Sequence, residues 1–275
     1  MIFKSSSKSR KRTLKLSYPS RGFQLLSIII PVYNEEETIV TTLQKIDELP
    51  TESLGIEVII VDDCSQDSTQ IYIKDFLEEY KGEKKYCYLR HEKNRGKGGA
   101  LKTGFGSVNG DILIVQDADL EYDSDEIPSV IDPILQGKAD IVYGSRFLTK
   151  KASRVLYYYH YLANKFLTFL SNLFTNLNMT DIETGYKAFR SEIIKNMVIH
   201  SWGFGFEVEV TAKIAKLNCR VYEVPISYYG RTYEEGKKIG FMDGVQAIFL
   251  IFYYNLFVSK KRSFRWDLFD KDRSE

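Results

Sequence analysis

Cysteine is scarce. The three present, Cys64, Cys87 and Cys219, are far apart and odd in number, which argues against a disulfide framework and fits a reducing cytosol. Histidine is equally thin: His91, His160 and His200 are scattered, no Cys/His cluster has metal-site spacing, and each is expected on the surface or satisfied in the core. Net charge is only +1, so composition gives no support for nucleic-acid binding. No apolar run reaches the ~20 residues that span a bilayer. The basic N-terminus has no apolar core of signal-peptide length, Leu14 and Leu16 being isolated. No repeat of solenoid type is visible. The glycines at Gly96, Gly98 and Gly99 fit neither GxGxxG nor GxxxxGK[S/T], which sets aside a dehydrogenase or a P-loop ATPase.

What is present is an ordinary globular composition, 44% hydrophobic and 27% charged over 275 residues, enough for one large domain or two small ones. Short apolar runs alternate with helical stretches. Strands are expected at 26–32, 56–61, 86–91, 111–116 and 140–143. Helices are expected at 36–49, to about 80 after polar caps at 65–69, to about 107 after the glycine-rich stretch 94–99, and at 125–136. That alternation predicts an α/β fold, a mostly parallel central sheet flanked by helices.

Polar residues accumulate where the strands stop. Asn34/Glu35, Asp62/Asp63, Asp117/Asp119 and Ser145/Arg146 each follow a strand, and such ends share one edge of a parallel sheet, where ligands bind. In ILIVQDADLEYD (112–123) two carboxylates stand two residues apart. At a strand end that pair suits a hard divalent cation, Mg²⁺ or Mn²⁺. A turn is the alternative for one such pair, and four pairs together favour a site.

The second half reads differently. Apolar residues at Tyr159, Leu162, Ala163, Phe166, Leu167, Leu170, Leu173, Phe174 and Leu177 have helical spacing within 155–177. The helix either packs on the core or lies at an interface. A short strand is expected near 187–189, helices near 192–198 and 204–217, and an edge strand at 221–227, because Pro225 cannot donate to a ladder. A polar loop, 229–240, carries Arg231, Lys237 and Lys238. Val245 to Val258 is apolar almost all round and ends at Lys260, Lys261 and Arg262. It is a core helix or one lying in a membrane surface beside its basic patch. Basic residues from Lys4 to Arg21 precede the first acid, Glu35, forming an arm that is either solvated or drawn to anionic lipid.

Five segments, SIIIPVYNEEETI (27–39), EVIIVDDCSQDST (57–69), NRGKGGALKTGF (94–105), ILIVQDADLEYD (112–123) and IVYGSRF (141–147), resemble inverting family-2 glycosyltransferases of the GT-A, Rossmann-like fold. ETGYKAFR (183–190), FGFEVEVTAKIAK (204–216) and EVPISYYGRTYEEGKKI (223–239) extend the resemblance to polyprenyl- or dolichol-phosphate mannosyl- and glucosyltransferases.

The resemblance covers about 25–245 and implies a nucleotide-sugar-binding half at 25–147 and an acceptor-binding half at 148–245; composition adds a flexible basic arm at 1–24 and, at 246–275, an apolar helix and basic tail within a C-terminal region of amphipathic helices. It implies Pro31, Tyr33, Glu35, Val61 and Asp63 around the nucleoside, and Asp117, Ala118 and Asp119 on metal and diphosphate. Glu121 stands where relatives often carry Gln and is a candidate third ligand; Arg146 and Arg231 would meet phosphates. The implied reaction moves a hexose from a GDP-mannose or UDP-glucose type donor to a polyprenyl phosphate, on the cytoplasmic face of a membrane. A phosphate acceptor is already an anion, so Asp181 and Glu183 would position cations. A sugar hydroxyl acceptor, the soluble alternative, would need one of them as base. A silent nucleotide-sugar-binding protein is the third reading.

Overall fold

The computed structural model describes residues 22–51, 54–148, 154, 157–203, 205–232 and 240–266. The expected arm up to Arg21, the loop lysines Lys237 and Lys238, and the tail beyond Trp266 lie outside the described residues.

Seven strands form one sheet. They are β1 (Leu25–Val32), β2 (Gly55–Asp62), β3 (Lys85–Arg90), β4 (Ile112–Val115), β5 (Ile141–Ser145), β6 (Lys187–Arg190) and β7 (Val221–Pro225). Their order is β3-β2-β1-β4-β6-β5-β7. β6 runs antiparallel to both β4 and β5, and the remaining pairs are parallel. β7 is the edge strand, as Pro225 requires, and ends there rather than at Ser227.

The helices are α1 (Ile39–Asp47), α2 (Thr69–Glu79), α3 (Lys97–Gly106), α4 (Ile127–Leu135), α5 (Tyr158–Thr175), α6 (Ser191–Asn196), α7 (Phe206–Ile214), α8 (Phe241–Phe252) and α9 (Lys260–Ser263). The pleat divides them. Ile28, Ile30, Val58, Ile60, Ile112 and Ile114 pack under α1, α2 and α4. Ile29, Ile59, Val61, Leu113 and Val115 face α3 and α5 to α8. The strands are buried on both faces, so they read as continuous apolar runs. Each such side chain contributes about 1.5–3 kcal/mol of burial.

Helix α1 starts later than expected, for a reason that matters to the site. Two acids before α1 are engaged elsewhere: the Glu36 carboxylate accepts the Ser68 amide at 2.9 Å, and the Glu35 carboxylate accepts from Arg231 at 2.9 Å. Likewise Asp62 holds the Ser65 amide and Asp67 the Thr69 amide, so 65–68 turn before α2 begins.

The core-packing option for the second-half helices is corrected in part. On α5, Leu167, Thr168 and Ser171 are the buried residues, whereas Tyr159 is 82%, Phe166 52%, Phe169 63% and Leu173 67% exposed. α8 and the turn after it bury Ala247, Ile251 and Tyr254 but expose Phe249, Leu256 and Phe257. The two helices meet through Phe174 and Phe252, centroids 5.0 Å apart, so their exposed aromatics lie on neighbouring elements. Among the described residues no helix is long and apolar enough to cross a membrane.

Candidate active site

Strained backbone marks the carboxyl edge of the sheet. Asn34, Cys64 and Leu120, each just past a strand, have φ of 51°, 67° and 59°. A Leu there is disfavoured, and such residues gather where surrounding structure imposes them for function.

The DAD segment leaves β4 into this edge. Asp117 Oδ2 accepts from Lys97 Nζ at 2.9 Å, and Lys97 also pairs with Glu207 at 3.3 Å. A Cβ on Gly185 would lie within 3.0 Å of Asp117 Oδ2, so glycine is what lets the 181–185 segment close on the aspartate. Ala118 is buried, and its carbonyl accepts the Thr42 hydroxyl at 3.1 Å. Asp119 is partly buried. Burial, then the charges of Asp117 and Glu121, push its carboxyl up to about 7.

Two arginines close the cleft. Arg146 donates twice to Asp181, at 2.7 and 2.8 Å. Asp181 is fully buried, and the guanidinium lies 5.1 Å from the Tyr228 ring. Burial disfavours the Arg146 charge, but Asp181 outweighs it and holds the pKa well above its ordinary value. Arg231 reaches across from the later loop, 2.9 Å from Glu35 Oε2 and 2.6 Å from the Asp119 carbonyl.

Glu121 serves that loop. Its carboxylate accepts the Tyr228 hydroxyl at 3.0 Å and the Arg231 amide at 2.7 Å. It forms no three-carboxylate cage with Asp117 and Asp119; among the described residues no three His, Cys, Asp or Glu side chains converge in that way. The remaining donor set still fits a hard cation. Glu35, Asp117, Asp119, Glu121, Asp181, Glu183 and Glu207 face Lys97, Arg146, Lys187 and Arg231, so carboxyl groups outnumber cations. Two carboxylates completed by substrate oxygens is the usual Mg²⁺ arrangement.

Glu183 sits deeper. Burial and the neighbouring Glu207 push its carboxyl up to about 7. Glu183 Oε1 and Glu207 Oε2 are buried without a hydrogen-bond partner. Lys187 is buried beside them and is pushed down to about 8.

The nucleoside candidates divide. Tyr33 is 36% exposed, and Glu35 is buried at the cleft. Pro31 and Val61 pair in register across β1 and β2. The Val61 side chain is in the core, leaving its backbone for any ligand. Asp63 is 2% exposed. Both its oxygens accept the Arg95 amide, at 2.8 and 3.0 Å, and His91 Nδ1 lies 2.6 Å from Oδ1.

Sequence reasoning missed Lys97, Glu207 and Lys187. Lys97 hid inside a glycine-rich stretch that reads as a loop; the others sit in buried elements where a charge is unexpected.

The family described as glycosyl transferase family 2 matches residues 27–198. The chain belongs to that family. It is a glycosyltransferase, and its sheet and flanking helices are the GT-A arrangement expected from the sequence. It is 31% identical over 231 residues to undecaprenyl-phosphate mannosyltransferase of Micrococcus luteus, covering 80% of this chain and 90% of that protein. Dolichol-phosphate mannosyltransferase of Pyrococcus furiosus is 29% identical over 78% of this chain, which spans 59% of the Pyrococcus protein. UDP-N-acetylglucosamine–dolichyl-phosphate N-acetylglucosaminyltransferase of Methanococcus voltae is 30% identical, over 84% of this chain and 94% of that protein. The fold matches glucosyl-3-phosphoglycerate synthase from Mycobacterium tuberculosis, solved with Mn²⁺, UDP-glucose and glycerol 3-phosphate. The TM-score is 0.64 at 19% identity, covering 84% of this family-2 chain and 80% of that one. The same synthase has been solved with Mg²⁺ and UDP, with a TM-score of 0.64 at 18% identity, covering 84% and 79%.

Proposed function

We propose that this glycosyltransferase moves a hexose, with inversion, from a nucleotide-sugar of GDP-mannose or UDP-glucose type to a polyprenyl phosphate. One observation carries the reading: the DAD carboxylates and two carboxylate-held arginines meet at one sheet edge, and the same chain exposes an aromatic face on α5 and α8. An acidic pair without arginines would serve many phosphate chemistries. Arginines presented to a second anion serve a phosphate acceptor.

On this reading Asp117 and Asp119 hold Mg²⁺ or Mn²⁺ with the donor diphosphate. Bound there, the ion supplies charge neutralisation of the leaving nucleoside diphosphate. Pro31, Tyr33, Glu35, Val61 and Asp63 surround the nucleoside, so 25–147 is the donor half. Arg231 spans Glu35 and the Asp119 carbonyl, where it adds fixed positive charge beside the diphosphate. In the acceptor half, 148–245, Arg146 is oriented by Asp181 for the incoming phosphate oxyanion. That nucleophile needs placement and charge compensation and no base. Glu121 holds the Tyr228–Arg231 turn against the DAD segment.

The exposed aromatics of α5 and α8, with Lys260, Lys261 and Arg262 on α9, suit peripheral contact with an anionic membrane surface. That contact belongs on the cytoplasmic face, where nucleotide-sugars are made, with residues 246–275 and the basic arm taking part.

A second reading has its own observation. The Glu183 carboxyl, buried and pushed up to about 7, has the character of a general base for a sugar hydroxyl. A panel of GDP- and UDP-sugars, including the N-acetylglucosamine donor, separates the two when offered polyprenyl phosphate or saccharide acceptors with Mn²⁺. Transfer to the lipid phosphate supports the main reading; transfer only to saccharide hydroxyls overturns it.

A further inference from the structure

His91 follows directly on β3 and is 6% exposed. As a lone histidine it is the kind of residue expected to be satisfied in the core. It is satisfied, and by a side chain of the donor edge. Nδ1 lies 2.6 Å from Asp63 Oδ1, and Nε2 lies 2.8 Å from the Thr103 hydroxyl on α3. The ring bridges the end of β2 to the flank of α3. A carboxylate only accepts, so the Nδ1 proton faces Asp63 and Nε2 faces Thr103.

Asp63 in turn fixes the chain that follows β3. Its carboxylate accepts the Arg95 amide, and its own amide donates to the Val32 carbonyl at 2.8 Å. The segment from Asn94 to Gly99, the turn into α3 and its first residues, is pinned on its other side as well. Gly96 has φ of 74°, and a Cβ there would stand 2.5 Å from the Trp202 carbonyl. The Gly99 amide donates to that same carbonyl at 3.0 Å. The glycines therefore serve close backbone approach to Ser201–Gly203. Two residues past Arg95, Lys97 delivers its ammonium to Asp117.

From this we infer that His91 is a positioning residue for donor binding. It sets the Asp63 carboxylate and, through the Arg95 amide, the loop that brings Lys97 to the DAD segment. The inference rests on the donor site proposed above. Without the imidazole, Asp63 is free to rotate off the Arg95 amide, and both the nucleoside edge and the Lys97–Asp117 pair lose their registration. Acceptor contacts at Arg146 stand apart from this chain of bonds.

The test is titration calorimetry with UDP and with GDP in Mn²⁺, paired with steady-state kinetics, on the full chain and three variants. His91→Leu fills the space and offers no donor. His91→Asn restores a donor toward Asp63 without reaching Thr103. Thr103→Val removes the far support only. His91→Leu is expected to weaken nucleotide binding and raise the donor KM about tenfold or more, as loss of an outer-shell partner does, with the acceptor KM unchanged. His91→Asn is expected to regain most of that loss, and Thr103→Val to lose about threefold, as removal of one neutral hydrogen bond does. A purely structural role would lower the melting temperature and leave the KM values together. Wild-type binding of nucleotide with equal binding by a folded His91→Leu overturns the positioning role and leaves the donor site standing. If wild type binds neither nucleotide, the donor site falls and the role with it. Should His91→Leu not fold, Thr103→Val decides: unchanged nucleotide affinity overturns the role.

Discussion

Replacing Asp181 by Asn tests how the acceptor side is built. In the wild type Asp181 is fully buried and takes two guanidinium bonds from Arg146, at 2.7 and 2.8 Å. Asn keeps one neutral acceptor and loses one charge-assisted bond, worth about 1.5–3 kcal/mol. Arg146 then spends less of its time in the orientation that meets an incoming phosphate. The same energy is about 10- to 100-fold in rate, and it should appear in kcat/KM for a polyprenyl phosphate acceptor. Donor affinity should not move, because Asp181 does not touch the DAD segment or Arg231. The melting temperature should fall by about 4–8 °C for a loss of about 2 kcal/mol in a chain of this size. The assay is transfer of radiolabelled sugar to lipid phosphate at several acceptor concentrations, with calorimetric donor binding alongside. Unchanged kcat/KM for the lipid phosphate, or a shift in donor affinity, would refute the reasoning, since Asp181 would then not be what holds Arg146 for the acceptor.

Three further outcomes are expected. Gly185→Ala puts a Cβ against Asp117 Oδ2; overpacking of about 1–3 kcal/mol should lower both melting temperature and Mn²⁺-dependent turnover, read by scanning calorimetry and initial rates. Asp140 is held by Arg220 and Arg190; burial raises its pKa, but the arginine bonds outweigh it and the net shift is downward. Its contribution, about 2 kcal/mol, is therefore present above the ordinary carboxyl range and is lost as pH falls through the lowered folded value. The stability gap between wild type and Asp140→Asn in urea titrations should be constant above pH ~5 and close below pH ~4. Phe249→Ser with Phe257→Ser, at 67% and 70% exposure, should change stability by about 0.5 kcal/mol or less while cutting partition to anionic liposomes, measured by sedimentation; unchanged partition removes the membrane-contact proposal.

Much of this was legible in the sequence because parallel strands buried on both faces leave an unmistakable pattern. The apolar runs ending at Val32, Asp62 and Val115 located three of the strands within a residue or two, and with them the cleft edge. The antiparallel insertion of β6 between β4 and β5 was not legible. Four residues, Lys187–Arg190, carry two charged side chains into the buried centre of the sheet, and no periodicity announces that. The start of α1 slipped because Glu36 bonds across to the Ser68 amide instead of to its own first turn. Helical spacing on α5 correctly implied a helix but not which side faces out, because the buried stripe includes Thr168 and Ser171 while Phe166, Phe169 and Leu173 are exposed. At the site, Asp117, Asp119, Arg146 and Arg231 were visible from their places after strands and in a basic loop. Lys97 and Glu207 were not, because a pairing between the first turn of α3 and the first turn of α7 exists only once the chain is folded.

The central claim is that Arg146 presents an anionic acceptor to a sugar whose diphosphate leaves from the DAD segment. Its most direct measurement is the structure of the product, by mass spectrometry and by the NMR coupling at the anomeric carbon, after incubation with donor, polyprenyl phosphate and Mn²⁺. The account predicts a glycosyl phosphodiester on the lipid, with anomeric configuration opposite to that of the donor. A glycoside formed on a hydroxyl oxygen, or retention of configuration, would contradict it.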